Sequence, residues 1–278
     1  MLLAGVSGYS VPVRTSSFHT HTRLCKHAAG DPTDYVRQAV ADGATALGFS
    51  DHCPWPDGTW AGSRMTADQI PLYFKQVRTA ASEASFPVYC GFECEWDPAR
   101  VAWIGDFLKE ECGADYLVYG SHWIQDRGDL AYICDVNDHR ALARYADLTV
   151  EGIASGLYDY IAHPDLFLSS FSLHDPDVRA CARAIIDACA AMKLPMEING
   201  LGMTRPAVRG EGIWRAPYPV QNFWEMAVQA GAVIICNSDA HRPQDVLAGT
   251  VRARTLAAQW GVPVTDSAVA LGFAQPGS

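Results

Sequence analysis

Nine side chains of the types that bind divalent metal ions are spread along the chain in short, similar groups. The first group is His19-Thr20-His21, and His27 follows six residues later. In an extended segment the side chains at i and i+2 point to the same side, so His19 and His21 can bind one ion together. The remaining candidates are histidines or acids beside short apolar runs: His52, Glu93, His122, His163, Asp239 and His241.

The apolar runs beside these residues have the length and composition of buried β-strands. We predict seven of them, alternating with helical periods, which is typical of βα units around a parallel sheet. No linker or low-complexity segment divides the 278 residues. The sequence therefore predicts a closed single-domain α/β barrel slightly short of eight units, with a doubly wound open sheet as the alternative. The predicted strands cover residues 17–21, 46–50, 88–93, 116–120, 160–162, 194–198 and 233–237.

Three of the intervening helices carry recognisable start signals. Asp-Pro pairs at 31–32 and 175–176 place an N-cap residue before a proline at the first helical position. Thr66 and Gln69 have capping-box spacing, which predicts one short turn and then a helix to about residue 84. Apolar residues repeat every three or four positions in these helices, so we expect them to pack on the outside of the sheet.

The candidate ligands stand at the carboxyl ends of the predicted strands, which meet on one face of a barrel. Random placement of nine histidines would put about one of them there, whereas seven of the nine lie at a strand end or just beyond it. With so many neutral imidazoles at one barrel mouth, their nitrogen lone pairs would have no binding partners unless cations lay between them. Nine ligands exceed the needs of one ion, so we predict two or three divalent ions, with Zn, Mn or Fe favoured over Mg or Ca.

Glu93 is the natural bridge between two of these ions. A carboxylate has two oxygens and can hold two cations about 3.5 to 4 Å apart, an arrangement that recurs in phosphatases and nucleases. Bound divalent ions lower the pKa of water to about 7, so we expect a metal-bridging hydroxide to attack phosphorus. The chain has no GxSxG elbow and no Gly-Lys-Ser/Thr phosphate loop, which removes those alternative mechanisms.

Charge and composition narrow the class of partner. Lys and Arg total 21 against 31 Asp and Glu, a net charge of −10, so we expect neither a nucleic acid duplex nor a membrane surface as partner. The expected partner is a small phosphate ester. Nine cysteines without a CxxC pair are typical of a reducing compartment, which predicts a cytoplasmic protein. Residues 1–16 are predicted to be a loose leader before a barrel over residues 17–278.

Six motifs, in order along the chain, resemble those of the PHP family, named for polymerase and histidinol phosphatase. They are HTHTRLCKHAAG, FSDHCPWP, GFECE, GSHW, AHPDL and NSDAHRP, and they are most similar to the stand-alone histidinol-phosphatase branch. The resemblance implies a distorted (βα)7 TIM-like barrel that holds three metal ions. The implied ligands are His19, His21, Glu93 and Asp239 for the first ion, Glu93, His122 and His163 for the second, and His27, His52 and His241 for the third.

Other residues near the strand ends are candidates for contact with substrate. Arg205 and Arg209, in the loop after the sixth strand, can bind phosphate oxygens, and Arg215 is a weaker candidate. Glu197 can meet a cationic group of the substrate or pair with one of these arginines. Asp51, next to His52, can orient an imidazole or donate a proton. The predicted catalytic set is Glu93, Asp239, His241 and Asp51.

Cysteines and tryptophans also stand next to the candidate ligands in the sequence. Cys25, Cys53 and Cys94 adjoin ligands, but a one-residue offset turns a strand side chain to the opposite face, so we predict that they do not bind metal. Three tryptophans could line a substrate pocket or pack in the core: Trp55, Trp96 and Trp123.

The activity that the resemblance implies is hydrolysis of L-histidinol phosphate to L-histidinol and phosphate, a step of histidine biosynthesis. The residues alone indicate metal-dependent phosphoester hydrolysis, so action on other small phosphomonoesters or nucleotides is the alternative. An amidohydrolase-like deaminase or lactonase is disfavoured because none of the four lysines lies at a predicted strand end to bridge the metals. A metal-loaded regulatory module would bind metal and release no phosphate.

Overall fold

The computed structural model of the protein describes residues 15–126, 129–210 and 212–275. Residues 1–14 of the expected leader lie outside these ranges, and the first strand begins at Ser16. No helix in the described ranges is long and apolar enough to span a membrane. The strands are β1 (Ser16–Ser17), β2 (Ala46–His52), β3 (Val88–Cys94), β4 (Leu117–Gly120), β5 (Trp123–Asp126), β6 (Asp129–Tyr132), β7 (Tyr160–Ala162), β8 (Met196–Asn199), β9 (Val208–Gly210), β10 (Ile213–Arg215) and β11 (Ile234–Asn237).

Helices connect the strands, and the three helices with predicted start signals begin at those signals. The backbone N–H of Asp31 donates to the carboxylate of Asp34 at 2.9 Å, and that of Thr66 donates to the side chain of Gln69 at 2.9 Å, as capping boxes do. The Asp-Pro pair at 175–176 likewise opens a helix. The α-helices are α1 (Pro32–Ala41), α2 (Ile70–Ala81), α3 (His139–Ala154), α4 (Pro176–Met192), α5 (Gln221–Gln229), α6 (Ala248–Gln259) and α7 (Ser267–Ala270), with a π-helical segment at Trp103–Glu111.

Seven of the strands form one parallel sheet in the order β1-β2-β3-β4-β7-β8-β11. The residues after β1 and β11 join its two edges through a parallel bridge between Thr20 and Ala240. In this bridge the N–H of His21 donates to the carbonyl of Ala240 at 2.9 Å, and the N–H of Ala240 donates to the carbonyl of His19 at 3.1 Å. A doubly wound sheet would keep two open edges. The predicted (βα)7 barrel is therefore confirmed.

Aromatic side chains fill the barrel below its carboxyl-terminal mouth. The hydroxyls of Tyr116 and Tyr160 both donate to the carbonyl of Phe18, at 2.8 and 2.9 Å. Phe273, which follows α7, stacks on Tyr89 with ring centroids 4.0 Å apart. Because this layer packs the interior, the polar residues at the strand ends face a single opening.

The alternation of side chains along the strands decides which residues face that opening. Phe92 and Cys94 of β3 belong to the outer core between sheet and helices, so Glu93 points inward. The same alternation in β2 turns His52 inward and Asp51 outward. The prediction that a one-residue offset makes Cys94 a packing residue agrees with this position.

Two antiparallel hairpins not predicted from the sequence stand beside the mouth. They are β5 with β6, inserted after β4, and β9 with β10, inserted after β8. Each strand has only three or four residues, which is too short for a period of two to be distinguished from a loop. The first hairpin brings Trp123 and Tyr132 to the wall of the cavity above the strand ends.

Candidate metal centre

Four ligand atoms from three different parts of the chain converge at the barrel mouth. Nε2 of His19 lies 3.1 Å from Nε2 of His21, 3.6 Å from Oε2 of Glu93 and 3.5 Å from Oδ1 of Asp239. His21 Nε2 lies 3.5 Å from the same Glu93 oxygen and 3.2 Å from the same Asp239 oxygen. Four donors about 2.1 Å from one ion at tetrahedral angles are about 3.4 Å apart, so this set fits a metal ion at its centre.

A second set uses the other oxygen of Glu93. Oε1 lies 3.4 Å from Nε2 of His122 and 3.2 Å from Nε2 of His163, and the two histidine nitrogens are 3.3 Å apart. These spacings also fit donors around one ion. Glu93 therefore faces one ligand set with each oxygen, which is the arrangement of a carboxylate between two cations.

Several atoms of the two sets have no partner that would explain their burial. Both carboxylate oxygens of Glu93 and Oδ1 of Asp239 are buried without a hydrogen bond among the described residues. Unpaired carboxylate oxygens in a protein interior are costly unless a cation neutralises them. The residues present thus fit divalent metal ions, by geometry and by charge.

The electrostatics of the centre lead to the same conclusion. Burial would raise the pKa of Glu93, but the imidazoles of His122, His19 and His52 hold it well below its usual value. Burial would lower the pKa of His19, yet Asp239, Glu197 and Glu93 raise it well above the usual value. The site therefore keeps its acids ionised and favours positive charge between them.

A third group of histidines lies on the outer side of His21. The ring centroid of His21 is 4.5 Å from that of His52 and 4.4 Å from that of His241. The ring centroid of His27 is 4.9 Å from that of His241. Burial, together with the charge of His21, lowers the pKa of His241 to about 3 and lowers that of His27. These rings are thus held neutral, the form in which imidazole binds a metal. All nine predicted ligands lie in one continuous cluster.

Glu197 contacts the ligand cluster on the side away from the cavity and does not line the cavity. It is fully buried, and its carboxylate lies 3.0 Å from Nδ1 of His19. The amides of Asn199 and Asn237 donate to it at 2.7 and 3.1 Å. The expectation that Glu197 contacts substrate or an arginine is corrected, because every acceptor position faces these neighbours. Its role is to orient His19 so that Nε2 points at the ion site.

Asp51 is also a positioning residue, contrary to its place in the predicted catalytic set. It is fully buried and points away from the barrel interior. Its carboxylate accepts hydrogen bonds from the N–H of Thr22 at 3.2 Å and from the Thr22 hydroxyl, and it lies 3.6 Å from Nδ1 of His21. It anchors the segment after β1 and cannot donate a proton to substrate from there.

Glu95 was missed as a functional residue by sequence reasoning. It lies two positions after Glu93 and therefore on the same face. This spacing in the sequence could have indicated that Glu95 faces the site. Its Oε1 lies 2.7 Å from Nδ1 of His122, so it orients that ligand toward the second set. It is also close to Arg64, whose Nη2 is 3.9 Å away.

Two of the candidate ligands have a strained backbone conformation. His163 and Asp239, which follow β7 and β11, have φ angles of 32° and 52°. Residues other than glycine seldom adopt this left-handed region, and when they do so at a site the strain is offset by its contacts. The turn after each strand thus aims its ligand into the centre.

The predicted phosphate-binding arginines have different positions. Arg205 lines the cavity above the ligands, together with Tyr218 and Trp123. Arg209 lies exposed on β9 and is not among the described residues that line this cavity, so its contact with substrate stays a prediction. Arg215 donates to the carbonyls of Ala216, Pro217 and Leu168 and fixes the loop.

Of the three tryptophans next to candidate ligands, one lines the cavity and two belong to the core. Trp123 lines the catalytic cavity and stacks on Trp60 with centroids 5.7 Å apart. Trp55 is buried in the outer core, and Trp96 packs against that core. Only Trp123 of the three candidates therefore faces the metal centre.

Comparison with known proteins agrees with the geometry. The model of the PHP domain matches residues 17–200. A curated protein of Deinococcus radiodurans named "Probable histidinol-phosphatase" is 30% identical over 241 residues, which cover 82% of this chain and 86% of the relative. The solved structure of histidinol phosphate phosphatase from Lactococcus lactis subsp. lactis, complexed with Zn, L-histidinol and phosphate, matches with a TM-score of 0.69 at 17% identity, over 91% of this chain and 95% of that one. The chain belongs to the PHP family.

Proposed function

We propose that the protein is a metal-dependent phosphomonoesterase that hydrolyses L-histidinol phosphate to L-histidinol and phosphate. The observation that carries the proposal is the position of Glu93, whose two oxygens face separate ligand sets at the base of one cavity. Paired cations on a shared carboxylate recur in enzymes that cleave phosphate esters. The motifs of the chain and the name of its Deinococcus relative support the same activity.

The centre is proposed to hold three divalent ions. His19, His21, Glu93 and Asp239 would bind the first, and Glu93, His122 and His163 the second. His27, His52 and His241 would bind the third. Imidazole-rich ligation supports Zn, Mn or Fe over Mg or Ca, and the Lactococcus structure was determined with Zn.

The protein residues divide the remaining tasks. Bound ions would supply Lewis acidity, lowering the pKa of water and neutralising charge on the phosphoryl group. Arg205 can bind phosphate oxygens through two N–H groups at once, and it lies beside Tyr218 on the cavity wall. Trp123 and Tyr132 form an aromatic wall against which an imidazole ring can pack.

Turnover across a panel of phosphomonoesters tests this proposal. The panel comprises histidinol phosphate, sugar phosphates, nucleoside monophosphates and p-nitrophenyl phosphate, assayed with Zn, Mn and Fe added singly to chelated protein. We expect kcat/KM for histidinol phosphate to exceed every other value at least tenfold. A flat profile would indicate a PHP phosphoesterase of other specificity, and metal binding without phosphate release would indicate a regulatory module.

Two further expectations belong with this proposal. A cytoplasmic location follows from the cysteine content, and all nine cysteines are free in the structure. The net charge of −10 disfavours binding of a nucleic acid duplex. Both stay predictions.

A further inference from the structure

Arg64 is a cationic residue of the catalytic cavity that the motifs do not include. It lies in the loop between β2 and α2, lines the same cavity as the metal ligands and is only 2% exposed. Its guanidinium stacks on the ring of Trp60 at 4.7 Å from the centroid. The side chain is thus held in one place at the wall of the cavity.

The hydrogen bonds of Arg64 leave most of its donors unused. Nη1 donates to the carbonyl of Cys53 at 2.8 Å, whereas Nε is buried with no partner among the described residues. Nη2 is 3.9 Å from Oε1 of Glu95, which is too far for a hydrogen bond. A guanidinium carries five N–H donors and stays charged, so burial with one hydrogen bond is costly unless an anion completes the site.

Glu95 does not supply the hydrogen-bond acceptors that Arg64 lacks. Its Oε1 is engaged by Nδ1 of His122 at 2.7 Å, and its Oε2 accepts from the N–H of His122 at 3.3 Å. Its carboxylate is therefore used to orient a metal ligand, and it partly balances the charge of Arg64 from a distance. Donors on Arg64 remain available for an anion that enters the cavity.

We propose that Arg64 is a second phosphate-binding residue, acting across the cavity from Arg205. The proposal rests on the phosphomonoesterase function above. Arg64 follows β2 and Arg205 follows β8, strands that are as far apart as any two in the seven-membered barrel. Two arginines on opposite walls would clamp the phosphoryl group over the ions from both sides, and planar guanidinium groups suit its oxygens.

Phosphate binding to the metal-loaded protein tests this role without relying on turnover. We compare wild type with Arg64→Gln and Arg64→Lys, using inorganic phosphate in calorimetry and histidinol phosphate in kinetics. The matched control is Arg100→Gln, because Arg100 also stacks on a tryptophan, Trp55 at 4.4 Å. It is bound to Asp57 at 2.7 Å and does not line the catalytic cavity.

We expect Arg64→Gln to weaken phosphate binding about 10- to 100-fold, the effect of losing charge-assisted hydrogen bonds, with unchanged metal content. Arg64→Lys keeps the charge and loses the planar fork, so its loss should be smaller, and Arg100→Gln should bind as wild type. Wild-type affinity in Arg64→Gln, or an equal loss in Arg100→Gln, would overturn the role of Arg64. If Arg64→Gln does not fold, wild-type affinity in Arg64→Lys overturns it. Wild type that hydrolyses no phosphomonoester would instead overturn the proposed function.

Discussion

Glu93 is the residue on which the metal centre depends most. It is nearly fully buried, at 2% exposure, and every imidazole within reach contacts one of its two oxygens: His19, His21, His52, His122 and His163. These imidazoles hold the pKa of Glu93 well below its usual value despite burial, and the proposed pair of cations would neutralise the charge of the carboxylate.

Replacing this carboxylate with an amide tests its bridging role. Glu93→Gln removes the charge and one acceptor while keeping the shape, so we expect loss of at least one ion per chain and a fall in kcat of more than about 100-fold. Metal content by plasma mass spectrometry and steady-state kinetics are the measurements. Glu83→Gln is the control, because Glu83 is exposed and pairs with Arg37 on the surface. Full occupancy and near-normal turnover in Glu93→Gln would contradict the bridge.

The histidines of the first set should release protons when metal binds. The acids beside His21 raise its pKa to about 9, against the lowering effect of burial, and the pKa of His19 is also raised. At least one of the two rings is therefore protonated at neutral pH before metal binds, because their Nε2 atoms lie 3.1 Å apart and can share a proton, and an ion must displace that proton. Apparent metal affinity should therefore rise with pH from neutrality towards about 9, the pKa of His21.

Titration of Mn²⁺ into chelated protein at pH 7.5, in buffers of different ionisation enthalpy, counts these protons. We expect at least one proton released for the first ion bound. His241, whose pKa lies at about 3, contributes none. Zero release at pH 7.5 would show that the two histidines are already neutral and that the charge argument is wrong.

At the scale of elements, the ends of parallel strands place the ligands, and small residues leave room for them. Gly120, the last residue of β4, faces Glu93. A Cβ at this position would lie 2.6 Å from Oε1 of Glu93 and 2.7 Å from Cε1 of His122. Both distances are shorter than van der Waals contact, so only glycine leaves the second ligand set undisturbed.

A methyl group at this strand end should therefore damage the second ion site. Gly120→Ala is expected to lower metal occupancy and reduce turnover at least about tenfold, because it displaces two ligands at once. Gly62→Ala is the matched control, since a Cβ there meets nothing within 4 Å. Metal analysis after dialysis, with circular dichroism to verify folding, makes the comparison. Normal occupancy in Gly120→Ala would show that the strand end adapts without cost.

The elements also show how far the sequence predicts the site. The seven strands and eight of the nine candidate ligands follow from apolar runs that end in a histidine or acid, since parallel strand ends meet on one face. The other candidate, His27, lies six residues after His21. The supporting role of Glu197 could not be predicted, because it depends on which strands are neighbours. For Asp51 the sequence leaves two alternatives, to orient an imidazole or to donate a proton, and the choice depends on the face on which the residue lies. Arg64 could not be found either, since it lies in a loop without periodicity, and its position is set by Trp60 and Cys53.

At the scale of the whole molecule, the proposed centre takes its candidate ligands from six of the seven barrel strands or from the segments that follow them. These candidate ligands follow β1, β4, β7 and β11 or lie in β2 and β3, so metal ions would cross-link segments from His19 to His241. Ions that bind the folded chain and not the unfolded one stabilise the fold, by about 2.7 kcal/mol at a free concentration 100 times Kd. The barrel should therefore be more stable with metal than without it.

Chelation tests this whole-molecule effect. Removal of metal is expected to lower Tm by about 5 °C or more, and one added ion type should restore it. Differential scanning calorimetry on protein before and after chelation, and after metal is returned, gives the values. An unchanged Tm would mean that the ions do not tie these segments together.

The most direct test of the account is anomalous diffraction from crystals of the metal-loaded protein, recorded on both sides of the metal absorption edge. We predict two peaks about 3.5 to 4 Å apart, one beside each oxygen of Glu93, and a third among His27, His52 and His241. A single peak, or peaks that do not contact Glu93, would contradict a metal centre built around this carboxylate.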